Sequence, residues 1–393
     1  MVAAPRLSIQ GNAAGHDGEV YACAFAADGR TVITGGWDGK IRVWDANECK
    51  CQTTIEASKK PISACAIMRD SGRFLAGSLD GLLSSWDNQT HQRVSAFVAH
   101  GRPISSILID PSGKLLVTAS WDGGINVWDL AQATSKCSLN GHQDTVAGCR
   151  FTPEGRYLLS WSYDGSICLW EFERAKLLGR FPEQKDRVTA GAISPDGRLA
   201  ATGTRAGTVT LWNLRTQQEI CNQTLTGEIR ACFFLLDGTS LLVIEASGRI
   251  TIHALTDLDP QTKLETGLAV QCADIAPGGN QLVVGCEDGQ VRFVTLEEFD
   301  LHPLLVIAAK TSRRTATALQ RFFGRSQLVS AYRCTCPVCR NEFEVKHAAP
   351  SQELLCPTCG RKLRIADVLL QITSKGLASP SHHGRSKSEF SLH

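Results

Sequence analysis

The chain has 393 residues and carries 41 Lys/Arg against 39 Asp/Glu, a formal net charge of +2. No apolar run approaches the ~18–20 residues of a membrane span, and the opening MVAAPRLSIQ lacks a signal-peptide core, so a soluble, cytoplasmic protein is expected. Sixteen cysteines would suggest a disulfide framework in a small secreted chain, a context missing here.

In chain order, the first predicted strand is Arg6–Gln10, and a repeat begins after it. A Trp ends an apolar strand every 42 residues: Trp44, Trp86, Trp128, Trp170, Trp212. The same step, shortened by one, lands on His253 and then Val294. A fixed period of this length marks stacked supersecondary units. Each unit reads as three β-rich runs separated by turn dipeptides, such as Ser112-Gly113 and Asp122-Gly123, with a weaker strand after the Trp. Val, Ile, Leu and Thr in near-alternation fit strands covered on both faces. A four-stranded unit cannot cover both faces alone, whereas radial stacking into a closed β-propeller lets each sheet cover the next. Seven units are predicted over residues 1–300. Eleven cysteines at strand positions such as Cys23, Cys65, Cys149 and Cys232 read as small buried side chains.

These residues resemble the WD40 family over roughly residues 5–300, which implies an all-β, seven-bladed WD40 propeller. The units end in Trp44-Asp45, Trp86-Asp87 and Trp128-Asp129, then in the altered Trp170-Glu171 and Trp212-Asn213. Turn Asp residues recur as Asp38, Asp80, Asp122, Asp164 and Asp288, each followed by Gly, and units open at His16, His100 and His142. The resemblance implies a hydrogen-bonded network inside each blade: His16–Asp38–Trp44, His100–Asp122–Trp128 and His142–Asp164–Trp170, with Thr34, Thr118 and Ser160 as the hydroxyl members. Such a set can be buried because it satisfies itself. Unit two has Ser58 in place of the His, unit five has Ala206 in place of the Asp, and units six and seven lack the Trp. Blades one, three and four are expected to be the stiffest and blades six and seven the least well specified. The family usually completes its last blade with an N-terminal strand. Here Arg6–Gln10 is favoured over the more apolar Leu304–Ala308.

The resemblance also places the residue before each turn Asp on the top rim: Trp37, Leu79, Trp121, Tyr163 and Arg205. Glu19, Tyr21, Arg187, Glu228 and Arg230, beside the innermost strands, join them. Aromatics and Arg dominate interface energies, so Trp37, Trp121, Tyr163, Arg205, Tyr21, Arg187 and Arg230 are the expected partner-binding residues.

Residues 301–393 hold 14 Lys/Arg against 5 Asp/Glu, so a basic C-terminal part follows a ring with seven surplus negative charges. Residues 301–333 read as a basic linker, with a helix over the stretch containing Phe322, Phe323 and Tyr332 and a possible extra strand at 304–308. Next come Cys336-x-x-Cys339, 16 residues, and Cys356-x-x-Cys359. Two such knuckles give four thiolates with no open position, the donor set of a structural Zn²⁺. Residues 334–372 are similar to a zinc ribbon, Cys-Pro-Thr-Cys-Gly being the closest piece. Cys334 and His347 are either bystanders or alternate ligands. No further Cys/His set exists for a RING-type second site. From 373 the composition is that of a disordered tail.

No Walker A, GxSxG, HExxH or kinase signature is present. The expected function is a non-enzymatic scaffold that binds a protein or peptide on the propeller top face, with the zinc ribbon as a second interaction module. The alternative is a nucleic-acid-associated factor using the basic linker and Arg340, Arg361, Lys362 and Arg364 on phosphates. An enzyme with Cys334 as nucleophile is a third, weaker reading. Oligomeric state is not legible.

Overall fold

The repeat's turn residues punctuate the chain into short antiparallel strands, and the computed structural model describes them over residues 6–68, 72–132 and 134–297. It also describes the strand backbone within residues 304–365. The chain divides into two units, Met1–Leu304 and Leu305–His393.

The first unit contains seven four-stranded sheets. Blade one shows the pattern: Val20–Phe25, Thr31–Gly36, Lys40–Asp45 and Lys50–Glu56, in that order from inside to outside. The innermost strands of blades two to seven are Ile62–Ile67, Ile104–Ile109, Val146–Phe151, Val188–Ile193, Ile229–Phe234 and Val270–Ile275. Each touches the innermost strand of the next blade, and Val270–Ile275 touches Val20–Phe25, so the ring closes. Seven apolar clusters sit one per blade interface, which is why no blade needs a core of its own. Three repeat tryptophans, Trp44, Trp170 and Trp212, are fully buried.

Closure uses the N-terminal strand. Arg6–Ala14 pairs antiparallel with Gln290–Glu297, from Arg6↔Glu297 to Ala14↔Gln290, with an irregularity between Ile9 and Gly11. The pairing runs four residues beyond the expected Gln10. Leu7 packs on the cluster between blades six and seven. Leu304–Val306, the competing segment, lies instead at the edge of a three-stranded sheet with Glu353–Leu355 and Lys362–Ile365. At the seam, Val20, Val32 and Trp44 of blade one meet Val283, Val291 and Phe293 of blade seven, and the Trp44 and Phe293 rings stand 6.3 Å apart, edge to face. Blades six and seven, expected to be the least specified, are complete sheets. The aliphatic run Leu242, Ile244, Ile250, Ile252, Leu282 and Val294 fills the interface where the indoles are missing.

The turn glycine explains how one blade hands over to the next. Gly39 and Gly81 have φ near +71° and +78°, a left-handed conformation that suits Gly. Their carbonyls accept the amides of Ser58 and His100, which begin the following units (3.0 and 3.3 Å). A Cβ on either glycine would collide with the incoming carbonyl of that same residue.

In the second unit, Ala308–Thr315 and Gln327–Thr335 pair through eight register positions, from Ala308↔Cys334 to Thr315↔Gln327, and Glu342–Val345 adds a third strand. The segment read as a helical basic linker is therefore a β-ribbon in its described part. Thr311, Thr315 and Val329 favour extended backbone there over helix. Phe322, Phe323 and the tail from residue 373 lie outside the described residues.

Candidate functional site

The blade networks fix the loops that carry the top face. In blade one, the Trp44 indole donates to Thr34 Oγ1 (2.9 Å), which also contacts His16 Nε2 (2.8 Å). The Asp38 carboxylate only accepts, so the proton of the neutral imidazole sits on Nδ1, 2.8 Å from Asp38 Oδ1, and Nε2 accepts from the Thr34 hydroxyl. Arg42 donates to the other Asp38 oxygen (2.8 Å). Burial would raise the Asp38 pKa, but the Arg42 and His16 hydrogen bonds outweigh it and hold the carboxyl well below its usual value. Burial dominates at His16 and lowers its pKa, which keeps it neutral.

Blade three repeats the arrangement with Trp128 to Thr118 (2.9 Å), Thr118 to His100 Nε2 (2.8 Å) and His100 Nδ1 to Asp122 (3.0 Å). Blade four inserts a member. His142 Nδ1 contacts Ser166 Oγ (2.7 Å), whose hydroxyl donates to Asp164 (2.6 Å), while the direct His142–Asp164 distance is 3.6 Å. Trp170 and His142 Nε2 meet at Ser160 as expected (2.8 and 2.7 Å).

Units that depart from the pattern solve the same problem differently. Ala76 stands where unit two needs a hydroxyl, so Trp86 donates to Ser84 two residues back on its own strand (2.9 Å). In blade six His253 replaces the Trp and contacts Thr251 at the position equivalent to Ser84 (2.7 Å), while its other nitrogen reaches the Leu258 carbonyl (2.7 Å). Blade five lacks the turn Asp, and Asp186 from the preceding loop accepts the Ala206 amide instead (2.5 Å).

These frames support a rim with seven-fold equivalent geometry. The amide before each turn donates to the carbonyl before the innermost strand: Trp37 to Glu19, Leu79 to Pro61, Trp121 to Pro103, Tyr163 to Thr145, Arg205 to Arg187, Ala246 to Glu228 and Glu287 to Ala269 (2.8–3.0 Å). Two residues into each innermost strand the register slips, leaving one bulged residue per blade: Tyr21, Ser63, Ser105, Ala147, Thr189, Arg230 and Gln271. Ser63, Ser105 and Thr189 donate to the carbonyls of Ile104, Val146 and Ile229 on the next blade (2.5–2.6 Å) and tie the inner ring together. The other large bulge residues join the rim. Tyr21 lies 6.1 Å from the Trp37 ring, Arg230 pairs with Glu228 (3.0 Å) and Gln271 donates to Glu287 (3.1 Å). Burial and then Glu19 push the Tyr21 hydroxyl pKa up.

The rim is chemically uneven. Trp37 and Trp121 are 55% and 46% exposed, large values for indoles on rigid turns. Tyr163 is half-buried under the Arg187 guanidinium, 5.3 Å from its ring centre, and Arg205 is exposed beside them. Glu228 and Glu287 make the far side acidic. The expected partner-binding residues Trp37, Trp121, Tyr163, Arg205, Tyr21, Arg187 and Arg230 thus all fall on this one face. Gln271 and Glu287 were not read from the sequence, although the shortened repeat step from Arg230 and Ala246 leads to them.

A model of the IFT122 first beta-propeller matches residues 19–295. The chain belongs to this family. The match covers the rim and all seven blades but not the closing N-terminal strand or the cysteine-rich C-terminal unit. No curated protein matches the chain. Burial drives the Cys149, Cys232 and Cys286 thiols up to about 12, which suppresses the nucleophilic thiolate. Among the described residues no helix is long and apolar enough to cross a membrane, and no group of three or more His, Cys, Asp or Glu could hold a metal ion.

Cys336, Cys339, Cys356, Cys359 and His347 lie outside the described residues, and of Cys334 only the backbone is described. The strands around them are informative. Thr335 pairs with Glu342, and Leu355 pairs with Lys362. In sequence, each Cys-Pro-x-Cys falls between two strands that pair antiparallel.

Proposed function

We propose that this IFT122-type propeller is a non-catalytic, cytoplasmic scaffold that captures a protein or peptide on its top face. The observation that carries the reading is the pair of exposed indoles, Trp37 and Trp121, on turns fixed by backbone hydrogen bonds and by complete His–Asp–hydroxyl–Trp networks beneath them. Rigid aromatic anchors lose little entropy on binding and form the usual energetic centre of an interface. Replacing both with Ala should abolish partner capture by the full chain while leaving its thermal transition unchanged. Undiminished capture by that folded variant would refute the reading.

The C-terminal unit acts in this reading as a second interaction module, held by a structural Zn²⁺ on Cys336, Cys339, Cys356 and Cys359. A unit this small has little apolar core, so the ion supplies much of its folding free energy. Purified protein should contain one zinc per chain. Cys336→Ser with Cys356→Ser should remove it and lose the C-terminal strand signal in hydrogen exchange, with the propeller intact. Metal-free wild-type protein would overturn the assignment.

A nucleic-acid role is the second reading. It is favoured by the ribbon that brings Lys310, Arg313, Arg314 and Arg333 onto two paired strands with Tyr332. Phosphate binding by this ribbon would weaken steeply with salt. Absence of any gel shift at low salt rules it out.

A further inference from the structure

Blade five breaks the repeat where the rim turns basic. At every other blade the residue pair joined by the rim hydrogen bond carries at most one charge: Trp37/Glu19, Leu79/Pro61, Trp121/Pro103, Tyr163/Thr145, Ala246/Glu228 and Glu287/Ala269. At blade five the pair is Arg205 and Arg187, held at 3.0 Å through the backbone. Two like charges on neighbouring rim residues are unfavourable unless an anion lies nearby. Among the described residues, no carboxylate stands within ion-pair distance of either guanidinium. Three acids of the neighbouring turns are engaged elsewhere, while Glu183 lines the adjoining groove. The Asp186 carboxylate accepts the Ala206 amide, Asp164 accepts Gln143 and Ser166, and Glu228 holds Arg230. Both arginines are exposed, and Arg187 is oriented by stacking on Tyr163. A groove of about 440 Å³ runs beside Arg187 between blades four and five, and Tyr163, Asp164, Glu183, Lys185 and Asp186 also line it.

Taking the top face as the docking surface, we infer that its ligand is an acidic peptide segment. One Asp or Glu side chain seats on Arg187 and Arg205, and a neighbouring apolar or aromatic side chain lies across Tyr163 toward Trp121. Planar guanidinium and carboxylate groups match in shape and form paired charge-assisted hydrogen bonds. The site favours a single negative charge. Asp164, Glu183 and Asp186 line the same groove, and they would repel a phosphate, whose charge is close to −2, more than a single carboxylate.

Selection of short random peptides on the full-length chain tests this. Enriched sequences should place Asp or Glu beside Trp, Phe or Leu. For a selected Glu peptide, Arg205→Gln and Arg187→Gln should each weaken binding about tenfold, as should Glu→Gln in the peptide, with no further loss when both partners are changed. Arg205→Glu, at an exposed position that leaves the thermal transition unchanged, should shift the selection toward Lys or Arg. Peptides without acidic enrichment that are still lost on Trp37→Ala/Trp121→Ala would overturn the carboxylate seat and leave the top-face reading standing. Peptides retained by that double variant would overturn the top-face reading itself. Tighter binding when phosphoserine replaces the Glu would also overturn the carboxylate assignment.

Discussion

Replacing Thr34 with Val removes one hydroxyl with almost no change of shape and should destabilise the propeller by about 2–6 kcal/mol. Thr34 Oγ1 is fully buried and serves two groups: it accepts from the Trp44 indole and donates to His16 Nε2. Valine leaves both without a partner, and each buried orphan costs about 1–3 kcal/mol. No neighbour can substitute, because the position that rescues Trp86 in blade two as Ser84 is here Arg42, which is committed to Asp38. Thr202→Val is the control. In blade five Trp212 donates to Thr202 (2.8 Å), but no His reaches that hydroxyl, so only one group is orphaned and the cost should be about 1–3 kcal/mol. Urea unfolding of the full chain, followed by Trp fluorescence and by far-UV circular dichroism, reads both values if the two probes coincide. Equal losses for the two variants would refute the argument that the His16 bond adds to the Trp44 bond.

The buried imidazoles also set an acid limit. Burial holds His16 and His253 below the ordinary value of 6.5, so the unfolded chain binds more protons than the folded one between those lowered values and 6.5. Stability should be fullest above pH 6.5 and fall as the pH drops through that window; a urea midpoint that stays flat there contradicts the neutral, buried assignment. Deleting residues 1–14 should bare the Gln290–Glu297 edge and speed its hydrogen exchange, and adding a peptide of residues 6–14 should restore protection. Unchanged exchange in the deletion variant would mean that the strand is dispensable for closure.

The propeller was legible because its spacing is a property of the chain itself. A Trp in each of the first five units and an Asp-Gly turn in five of the seven fix strand number, order and the face that each turn serves. Side-chain substitutions that keep the geometry but change the partner were not legible. Ser166 entering between His142 and Asp164, or Ser84 standing in for a missing hydroxyl, depends on which rotamers reach across a strand pair. The bulges were invisible for a similar reason. They appear only when two strands are laid in register, and they decide that Tyr21, Arg230 and Gln271 reach the rim. Trp161 lies off the 42-residue step, and its indole occupies the space left by Gly148 and Gly191, a pairing that crosses two blades. In the C-terminal unit, basic composition suggested a solvated helix, whereas the alternating threonines and the Leu328-Val329 strand opposite them set the ribbon.

The junction of Arg6–Ala14 with Gln290–Glu297 joins the strand before the first blade to the last strand of the ring. On the ribosome the opening strand must wait, with Leu7 and Ile9 uncovered, until close to three hundred residues have followed it. Six blades can gather in the meantime, but the circle stays open, with an apolar edge on offer to any nascent neighbour. The unpaired edge is therefore open to wrong partners for as long as translation separates the two strands.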